Sequence, residues 1–231
     1  MSTEPAHINH YYDTARITRL IKEGHHRNTI GGLWQELGQM QLDYLKARGL
    51  QPQMRFLDIG CGCLRGGVHF VRYLNAGHYY GSDLSQDLLD VGYDVELAGL
   101  GLTEKLPRNN LLCSGDFDFS SLGQSFDMAF AMSVFTHLTQ NHLRLCLDRL
   151  ADVMTPGGVF FMTLFHCPDS HPWRDPLTHT PGNIVTQPDR DPFHYRRSHL
   201  EQAMDGLPWR LGPIEDWNHP RGQKICGITR L

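Results

Sequence analysis

The segment Arg55–Gly67, RFLDIGCGCLRGG, joins a short apolar run to an acid and then to closely spaced glycines. This pattern predicts a buried strand that turns tightly into a helix, the arrangement that holds nucleotide-like cofactors in doubly wound α/β folds. Gly60 and Gly62 lack the Cβ atoms that would keep a ligand away from the backbone. The first N–H groups of the following helix have no partner within that helix. The turn therefore predicts a site for a nucleotide-like ligand at the end of the first strand.

Strand and helix patterns alternate along the chain after this turn. The predicted strands are Tyr79–Leu84, Leu111–Asp116, Phe126–Met132, Val159–Phe165, Trp209–Trp217 and Gln223–Thr229. The predicted helices are Val68–Leu74, Gln86–Ala98, Asn141–Met154 and Ser198–Gly206. This alternation predicts an α/β fold with a Rossmann-like, doubly wound, mostly parallel sheet of seven strands. The hairpin-like turn at Arg221 and Gly222 predicts an antiparallel strand at the C-terminal edge.

Two segments lie outside this alternation. Residues 1–50 are helical in pattern and are expected to form an N-terminal lid segment, which leaves 51–231 as the cofactor-binding domain. Residues from about 167 to 195 are rich in proline and histidine. Because long loops in compact domains are commonly functional, we expect this insertion to cap the site.

The composition narrows the range of partners. A formal net charge of −4 over 231 residues disfavours nucleic acid and anionic membrane surfaces, so a small-molecule partner is expected. The six cysteines lack the spacing of a disulfide framework or zinc site and are expected to be free thiols in a reducing cytoplasm. The histidine spacing around His166, His171 and His179 fits no standard metal site. We therefore expect no bound metal. Because no apolar run approaches the ~20 residues that span a bilayer, we also expect a cytoplasmic protein.

The glycine positions discriminate between cofactors. A dinucleotide fingerprint has glycine at the first, third and sixth positions of the turn, but the sixth position here is Arg65 and the glycine follows at Gly66. A Walker lysine is also missing. The turn is therefore not that of an NAD, FAD or nucleotide-triphosphate site.

Residues 55–165 resemble the class I S-adenosylmethionine-dependent methyltransferases. Asp58, Gly60 and Gly62 match the first motif of that family, whereas Leu64 stands where a third small residue is common. The resemblance implies S-adenosylmethionine as the cofactor, bound by residues at the ends of successive strands. It implies that Asp83 accepts hydrogen bonds from the ribose hydroxyls and that Asp116, with Phe117 beside it, binds the adenine. The remaining cofactor contacts that we expect are Cys61, Leu84 and Ser133.

Arg65 departs from the dinucleotide fingerprint and is itself a candidate binding residue. An arginine at this place is able to bind the carboxylate of S-adenosylmethionine through two charge-assisted hydrogen bonds. The alternative is a solvated residue on the first turn of a helix. His25 and Arg27 are weaker candidates for the same carboxylate.

The segment Ser133–Leu138 follows the fourth strand, where the resembling family lines the reacting sulfonium. It lacks the Asn/Asp-Pro-Pro-Tyr/Phe tetrapeptide of the DNA and protein-amide N-methyltransferases, which argues against that subclass. Phe135 is expected to border the sulfonium, and His137 is either a general base or a structural hydrogen-bonding residue. The further catalytic candidates are Tyr12, Asn141, His194 and Tyr195.

Three functions remain open. The whole chain resembles bacterial methyltransferase-like proteins of polysaccharide and natural-product pathways, which implies methyl transfer to a small molecule. The first alternative is an azetidine-2-carboxylate synthase, which cyclises S-adenosylmethionine itself and releases methylthioadenosine. The second alternative is a non-catalytic S-adenosylmethionine-binding protein.

Overall fold

The computed structural model describes residues 9–231 and contains the alternating helices and strands expected from the sequence. The helices are α1 (Thr14–Lys22), α2 (His26–Thr29), α3 (Trp34–Ala47), α4 (Gly67–Tyr73), α5 (Gln86–Val91), α6 (Gln140–Val153) and α7 (Arg197–Met204). The strands are β1 (Phe56–Ile59), β2 (Tyr79–Asp83), β3 (Leu111–Cys113), β4 (Phe126–Ala131), β5 (Met154–His166), β6 (Leu177–His179), β7 (Ile184–Thr186), β8 (His194–Tyr195), β9 (Trp209–Asp216) and β10 (Lys224–Arg230). A π-helical segment, Gly92–Leu97, extends α5.

The main sheet has the strand order β3-β2-β1-β4-β5-β10-β9. Strands β1 to β5 pair in parallel, and β10 runs antiparallel to both of its neighbours. The predicted α/β fold with antiparallel pairing on the C-terminal side is confirmed. The antiparallel strand lies one position inside the edge, because β9 pairs on its outer side. The short strand β8 also pairs with the end of β5, so the sheet has eight strands where the sequence predicted seven.

The sheet is buried on both faces. Along β4, Ala129 and Ala131 belong to the apolar cluster that includes α6 and α7, whereas Met128 and Phe130 belong to the cluster that includes α3 and α4. Successive side chains of a strand point to opposite faces, so this alternation shows helices packed on each side. Leu45 of α3 is fully buried in the second cluster. Helix α3 therefore packs into the core, and residues 1–8 of the expected lid segment lie outside the described residues.

Three predicted boundaries shift by three residues or more. Strand β3 ends at Cys113, three residues before the predicted end at Asp116. The α-helical part of the predicted helix Gln86–Ala98 ends at Val91, where the π-helical segment begins. Strand β5 begins at Met154, not Val159, because Met154 pairs with Phe126 and a register shift absorbs the Pro-Gly-Gly segment.

The proline-rich insertion contains regular structure. Strands β6 and β7 form a hairpin in which Leu177 pairs with Thr186. Strand β8 pairs in parallel with Phe165 and His166 at the end of β5. This pairing fixes the insertion to the carboxyl end of the sheet. Within residues 9–231, every helix is too short or too polar to cross a lipid bilayer.

Candidate functional site

A cavity lies at the carboxyl ends of β1, β2 and β4. In this sheet, the chain leaves β1 towards β2 and leaves β4 towards β5, so the cavity lies at the point where the strand order reverses. Open α/β sheets bind their ligands at such a point. The lining residues from the strand ends and following loops are Asp58, Ile59, Gly60, Cys61, Gly62, Arg65, Gly66, Ser82, Asp83, Leu84, Leu88, Ser114, Gly115, Phe117, Met132, Ser133, Val134, His137 and Leu138. The lining residues from the N-terminal segment are Asn9, Tyr11, Tyr12, Ile30 and Gln41.

The glycine turn forms the floor of this cavity. Gly60 and Gly62 have positive φ angles of 70° and 55°, a conformation that L side chains adopt at a cost. A Cβ atom on Gly60 would lie 2.4 Å from Cγ2 of Val134, in the loop that follows β4. The two loops that flank the cavity therefore approach each other more closely than a side chain at position 60 would permit.

Asp58 and Asp83 are held at fixed positions beside the turn. The hydroxyl of Tyr79 donates to Oδ2 of Asp58 at 2.8 Å. Asp58 is 3% exposed, and burial raises its pKa to about 7. Asp83 accepts from the backbone N–H of Gly62 at 2.8 Å and of Ser85 at 2.9 Å, while burial raises the pKa of its carboxyl. Asp83 is thus rigidly placed at the end of β2, facing the cavity.

The structure places Asp116 outside the cavity, in contrast to the expectation from the sequence. Its carboxylate is exposed and accepts from the hydroxyl of Ser114 and from Nη1 of Arg149, each at 2.9 Å. The cause is the early end of β3, after which the chain turns. Ser114 and Gly115 therefore line the cavity, together with Phe117, which has a left-handed φ of 62°.

Arg65 is buried beside the cavity and is not a solvated helix residue. Only 7% of it is exposed, and its Nη1 donates to the backbone oxygens of Ile30 at 2.9 Å and Gly32 at 2.8 Å. Nη2 lies 3.9 Å from the sulfur of Met132, and the buried Nε has no hydrogen-bond partner among the described residues. Burial lowers the pKa of Arg65 to about 10, so the group remains charged at neutral pH. One edge of a charged guanidinium is thus held in place while the other has no anionic partner in the described chain.

The two other carboxylate-binding candidates lie elsewhere. Arg27 forms a two-pronged ion pair with Glu96, with Nε–Oε1 and Nη2–Oε2 distances of 2.6 and 2.7 Å. His26 shares that carboxylate, so the cluster fastens α2 to the π-helical segment. His25 is exposed at the start of α2.

His137 lies in the cavity wall and pairs with an acid. Its Nδ1 is 2.6 Å from Oδ1 of Asp191, which belongs to the insertion, and both side chains are largely shielded from solvent. The backbone oxygen of His137 accepts from Nδ2 of Asn9 at 2.7 Å, and the ring of Tyr11 lies edge-on at a centroid distance of 5.0 Å. Asp191 was missed from the sequence, because nothing in its local pattern indicates a partner 54 residues away.

The remaining catalytic candidates lie in three different places. Tyr12 lines the cavity. Phe135 is fully buried in the core and stacks on Phe117 at a centroid distance of 6.2 Å, so it does not border the cavity directly. Asn141, His194 and Tyr195 line a separate hollow of about 530 Å³.

The pairing of β8 with β5 explains the position of the last two candidates. Tyr195 is buried and its hydroxyl donates to the backbone oxygen of Leu138, while Nδ1 of His194 lies 2.8 Å from the hydroxyl of Thr186. Both side chains therefore support the insertion. Within residues 9–231, no three histidine, cysteine or acidic side chains come together as a metal site.

Comparison with known proteins finds a similarity in the central part of the chain. Residues 57–160 match a family model described as a methyltransferase domain. A protein of Dictyostelium discoideum named as a probable 18S rRNA (guanine-N(7))-methyltransferase is 29% identical over 106 residues. That match covers 46% of this chain and only 36% of the relative, so the chain aligns with about a third of that protein.

Solved structures show the same fold over the whole chain. Magnesium protoporphyrin IX methyltransferase from Synechocystis, with bound S-adenosylmethionine, has a TM-score of 0.64 at 13% identity, covering 99% of this chain and 100% of that one. An amino pentose methyltransferase of calicheamicin biosynthesis from Micromonospora echinaspora, also with S-adenosylmethionine, has a TM-score of 0.60 at 17% identity over the full length of both chains.

Proposed function

We propose that the chain is a class I S-adenosylmethionine-dependent methyltransferase that methylates an oxygen or nitrogen atom of a small molecule, with His137 as general base. The observation that carries the choice of base is the 2.6 Å contact between Nδ1 of His137 and Asp191 at the cavity wall.

The residues of the cavity fit S-adenosylmethionine. The glycine turn leaves room for a ligand against the backbone, and Asp83 has the fixed carboxylate that the ribose hydroxyls need. The charged guanidinium of Arg65, a residue of the cavity lining, is suited to the methionine carboxylate. Phe117 supplies an apolar surface near the end of β3 for the adenine. Bound there, S-adenosylmethionine supplies an electrophilic methyl group on a good neutral leaving group.

His137 is arranged to receive a proton from the acceptor. When Nδ1 donates its hydrogen to Asp191, the neutral ring carries its lone pair on Nε2. The carboxylate of Asp191 also stabilises the imidazolium that forms when this nitrogen is protonated. Asn9 holds the backbone of His137 from the N-terminal side. Correct alignment of the acceptor with the methyl carbon accounts for the rest of the catalysis in this proposal.

A small molecule fits better than a macromolecule as acceptor. The formal net charge of −4 argues against the phosphate backbone of RNA, although the relative from Dictyostelium is named for rRNA methylation. One solved structure of the same fold belongs to an amino pentose methyltransferase of calicheamicin biosynthesis. We therefore assign the chain to sugar or natural-product chemistry, in the bacterial pathways indicated by the sequence resemblance.

One observation favours a second candidate, the cyclisation of S-adenosylmethionine. All residues that line the cavity lie between Asn9 and Leu138, so within the described chain the insertion contributes no lining residue. A cavity built only from cofactor-binding elements and the N-terminal segment suits a reaction within one molecule. His137 would then accept a proton from the α-ammonium group. The freed amine would form a bond to the γ-carbon as the carbon–sulfur bond breaks, giving azetidine-2-carboxylate and methylthioadenosine.

The nucleoside product separates these candidates. The full chain is incubated with S-adenosylmethionine, alone and with a panel of amino sugars and phenols, and the nucleosides are identified by mass spectrometry. S-adenosylhomocysteine that forms only with an acceptor and disappears in His137→Ala is the expected result. Methylthioadenosine formed without an acceptor, above its spontaneous rate and dependent on His137, would replace methyl transfer with cyclisation. Tight binding with neither product would favour a non-catalytic protein.

A further inference from the structure

Ser133 has a strained backbone at the cavity. It is the second residue after β4, lines the cavity and has a left-handed φ of 61°. Non-glycine residues avoid this conformation, and such outliers persist only where the surrounding structure enforces them. The question is which groups enforce it.

Two buried residues on neighbouring strands hold Ser133. Its backbone N–H donates to the hydroxyl of Thr163 on β5 at 2.7 Å. That hydroxyl donates at 2.7 Å to Oε1 of Gln223, which lies directly before β10. The hydroxyl of Ser133 donates to the same Oε1 at 3.1 Å. Thr163 and Gln223 are 0% and 3% exposed, so no solvent replaces these bonds when one is removed.

The hydrogen bonds among Ser133, Thr163 and Gln223 connect three neighbouring strands, β4, β5 and β10. Ile225 of β10 pairs with Thr163 of β5, and Met162 of β5 pairs with Ala131 of β4. Gln223 therefore sits one strand away from Thr163, and Thr163 sits one strand away from the loop after β4. Hydrogen bonds thus link Gln223 to a loop 90 residues earlier in the sequence.

Ser133 is coupled to the glycine turn through the next residue. The side chain of Val134 approaches Gly60 so closely that a Cβ there would lie 2.4 Å from Cγ2. A shift of the Ser133 backbone consequently moves Val134 against or away from the floor of the cavity. The width of the cleft between the two cofactor-binding loops depends on this contact.

We propose that Gln223 is a positioning residue for the cofactor cavity: acting through Thr163, it holds Ser133 in its left-handed conformation and thereby sets the distance between the loops after β1 and β4. This inference rests on the proposed binding of S-adenosylmethionine in that cavity. Gln223 does not line the cavity, and its effect on the ligand passes through the Ser133 backbone. Nothing in the sequence pattern around Gln223 indicates such a role.

The test compares variants of the full chain by titration calorimetry with S-adenosylmethionine and by thermal unfolding. Gln223→Met removes the acceptor at similar volume, and Gln223→Glu retains an oxygen that accepts from both hydroxyls. Thr155→Val is the matched control, since it removes a half-buried hydroxyl from the other end of β5, where that hydroxyl donates to the backbone oxygen of Phe126 at 3.1 Å. Ser133→Ala, which removes only the weaker of the two bonds to Gln223, serves if Gln223→Met does not fold.

The expected result is that Gln223→Met raises the dissociation constant for S-adenosylmethionine about tenfold, equivalent to about 1.4 kcal/mol. Gln223→Glu restores it to within about threefold and Thr155→Val leaves it within about twofold. Ser133→Ala is expected to give about a threefold loss. Equal affinities for wild type and Gln223→Met, or an equal loss in Thr155→Val, would overturn the positioning role while leaving cofactor binding in place. Absence of binding by the wild-type chain would overturn the proposed function and this inference together.

Discussion

Replacing Arg65 by glutamine tests how the chain recognises the amino-acid end of S-adenosylmethionine. Glutamine is shorter and uncharged, but its amide is still able to donate to the backbone oxygens of Ile30 or Gly32, which Nη1 contacts in the wild type. What it removes is the positive charge and the remaining N–H donors of the guanidinium. The variant therefore separates carboxylate recognition from the structural bonds of the same side chain.

The size of the effect follows from the burial of Arg65. Burial lowers the pKa of Arg65 from its ordinary value to about 10, which corresponds to a desolvation cost on the order of 3 kcal/mol at 1.36 kcal/mol per pKa unit. A carboxylate that pairs with the guanidinium recovers much of this cost, and a charge-assisted hydrogen bond contributes about 1.5–3 kcal/mol. We expect Arg65→Gln to weaken binding of S-adenosylmethionine by about 2–3 kcal/mol, or about 30- to 150-fold.

The assay is calorimetric titration with two ligands. Methylthioadenosine has the same nucleoside but lacks the amino-acid carboxylate, so its affinity for Arg65→Gln is expected to stay within about threefold of wild type. Arg221→Gln is the matched control, because Arg221 donates to the backbone oxygen of Gly31 in the same loop at 2.6 Å without lining the cavity. It is expected to leave both affinities nearly unchanged.

Two results would show that Arg65 does not bind the carboxylate. One is an equal loss of affinity for both ligands, which would mean that Arg65 acts only through the loop at residues 30–32. The other is unchanged binding of S-adenosylmethionine in Arg65→Gln, which would place the carboxylate elsewhere.

Further predictions concern the acids and the base of the site. His137→Ala is expected to lower turnover about 10²- to 10⁴-fold, and Asp191→Asn is expected to lower it less. Calorimetry is expected to find the cofactor affinity of both variants within about threefold of wild type. A loss of affinity parallel to the loss of turnover would contradict the role of His137 as a base. Asp83→Ala is expected to weaken cofactor binding at least about tenfold, whereas Asp116→Ala changes it less than about twofold, and the reverse order would contradict the placement of the two acids. Because burial raises the pKa of Asp58 to about 7, the folded chain keeps a proton that the unfolded chain releases near pH 4. Stability of the ligand-free chain is therefore expected to fall between about pH 4 and 7, by roughly 3 kcal/mol from this group, and denaturant titrations should show a flatter profile for Asp58→Asn; an equal slope in both would rule out this titration.

Local patterns predicted the parts of the site that depend on neighbouring residues. The apolar run before Asp58 and the glycines after it determine a strand and a turn within a few residues, and Asp83 follows from the end of the next strand. The position of Asp116 could not be predicted in this way, because β3 ends three residues early and the Asp116 carboxylate pairs with Arg149 of α6 on the surface. An error of three residues at a strand end is enough to move a side chain out of a cavity.

The parts that could not be predicted depend on contacts between distant segments. His137 was identified from its place after β4, but its partner Asp191 comes from an insertion whose path over the sheet has no local signature. His194 and Tyr195 were expected at the site on the basis of residue type, yet the pairing of β8 with β5 directs them to a separate hollow. Tertiary packing, not residue type, decides which polar side chains face the cofactor.

A crystal structure of the full chain with S-adenosylhomocysteine would show where the cofactor binds. We expect one ligand in the cavity between the loops after β1 and β4, with its ribose on Asp83 and its carboxylate on Arg65. We expect the sulfur on the side of His137, where an acceptor would meet the methyl group. A ligand bound elsewhere, or one in this cavity with its carboxylate away from Arg65 and its sulfur away from His137, would show that the proposed roles of these residues are wrong.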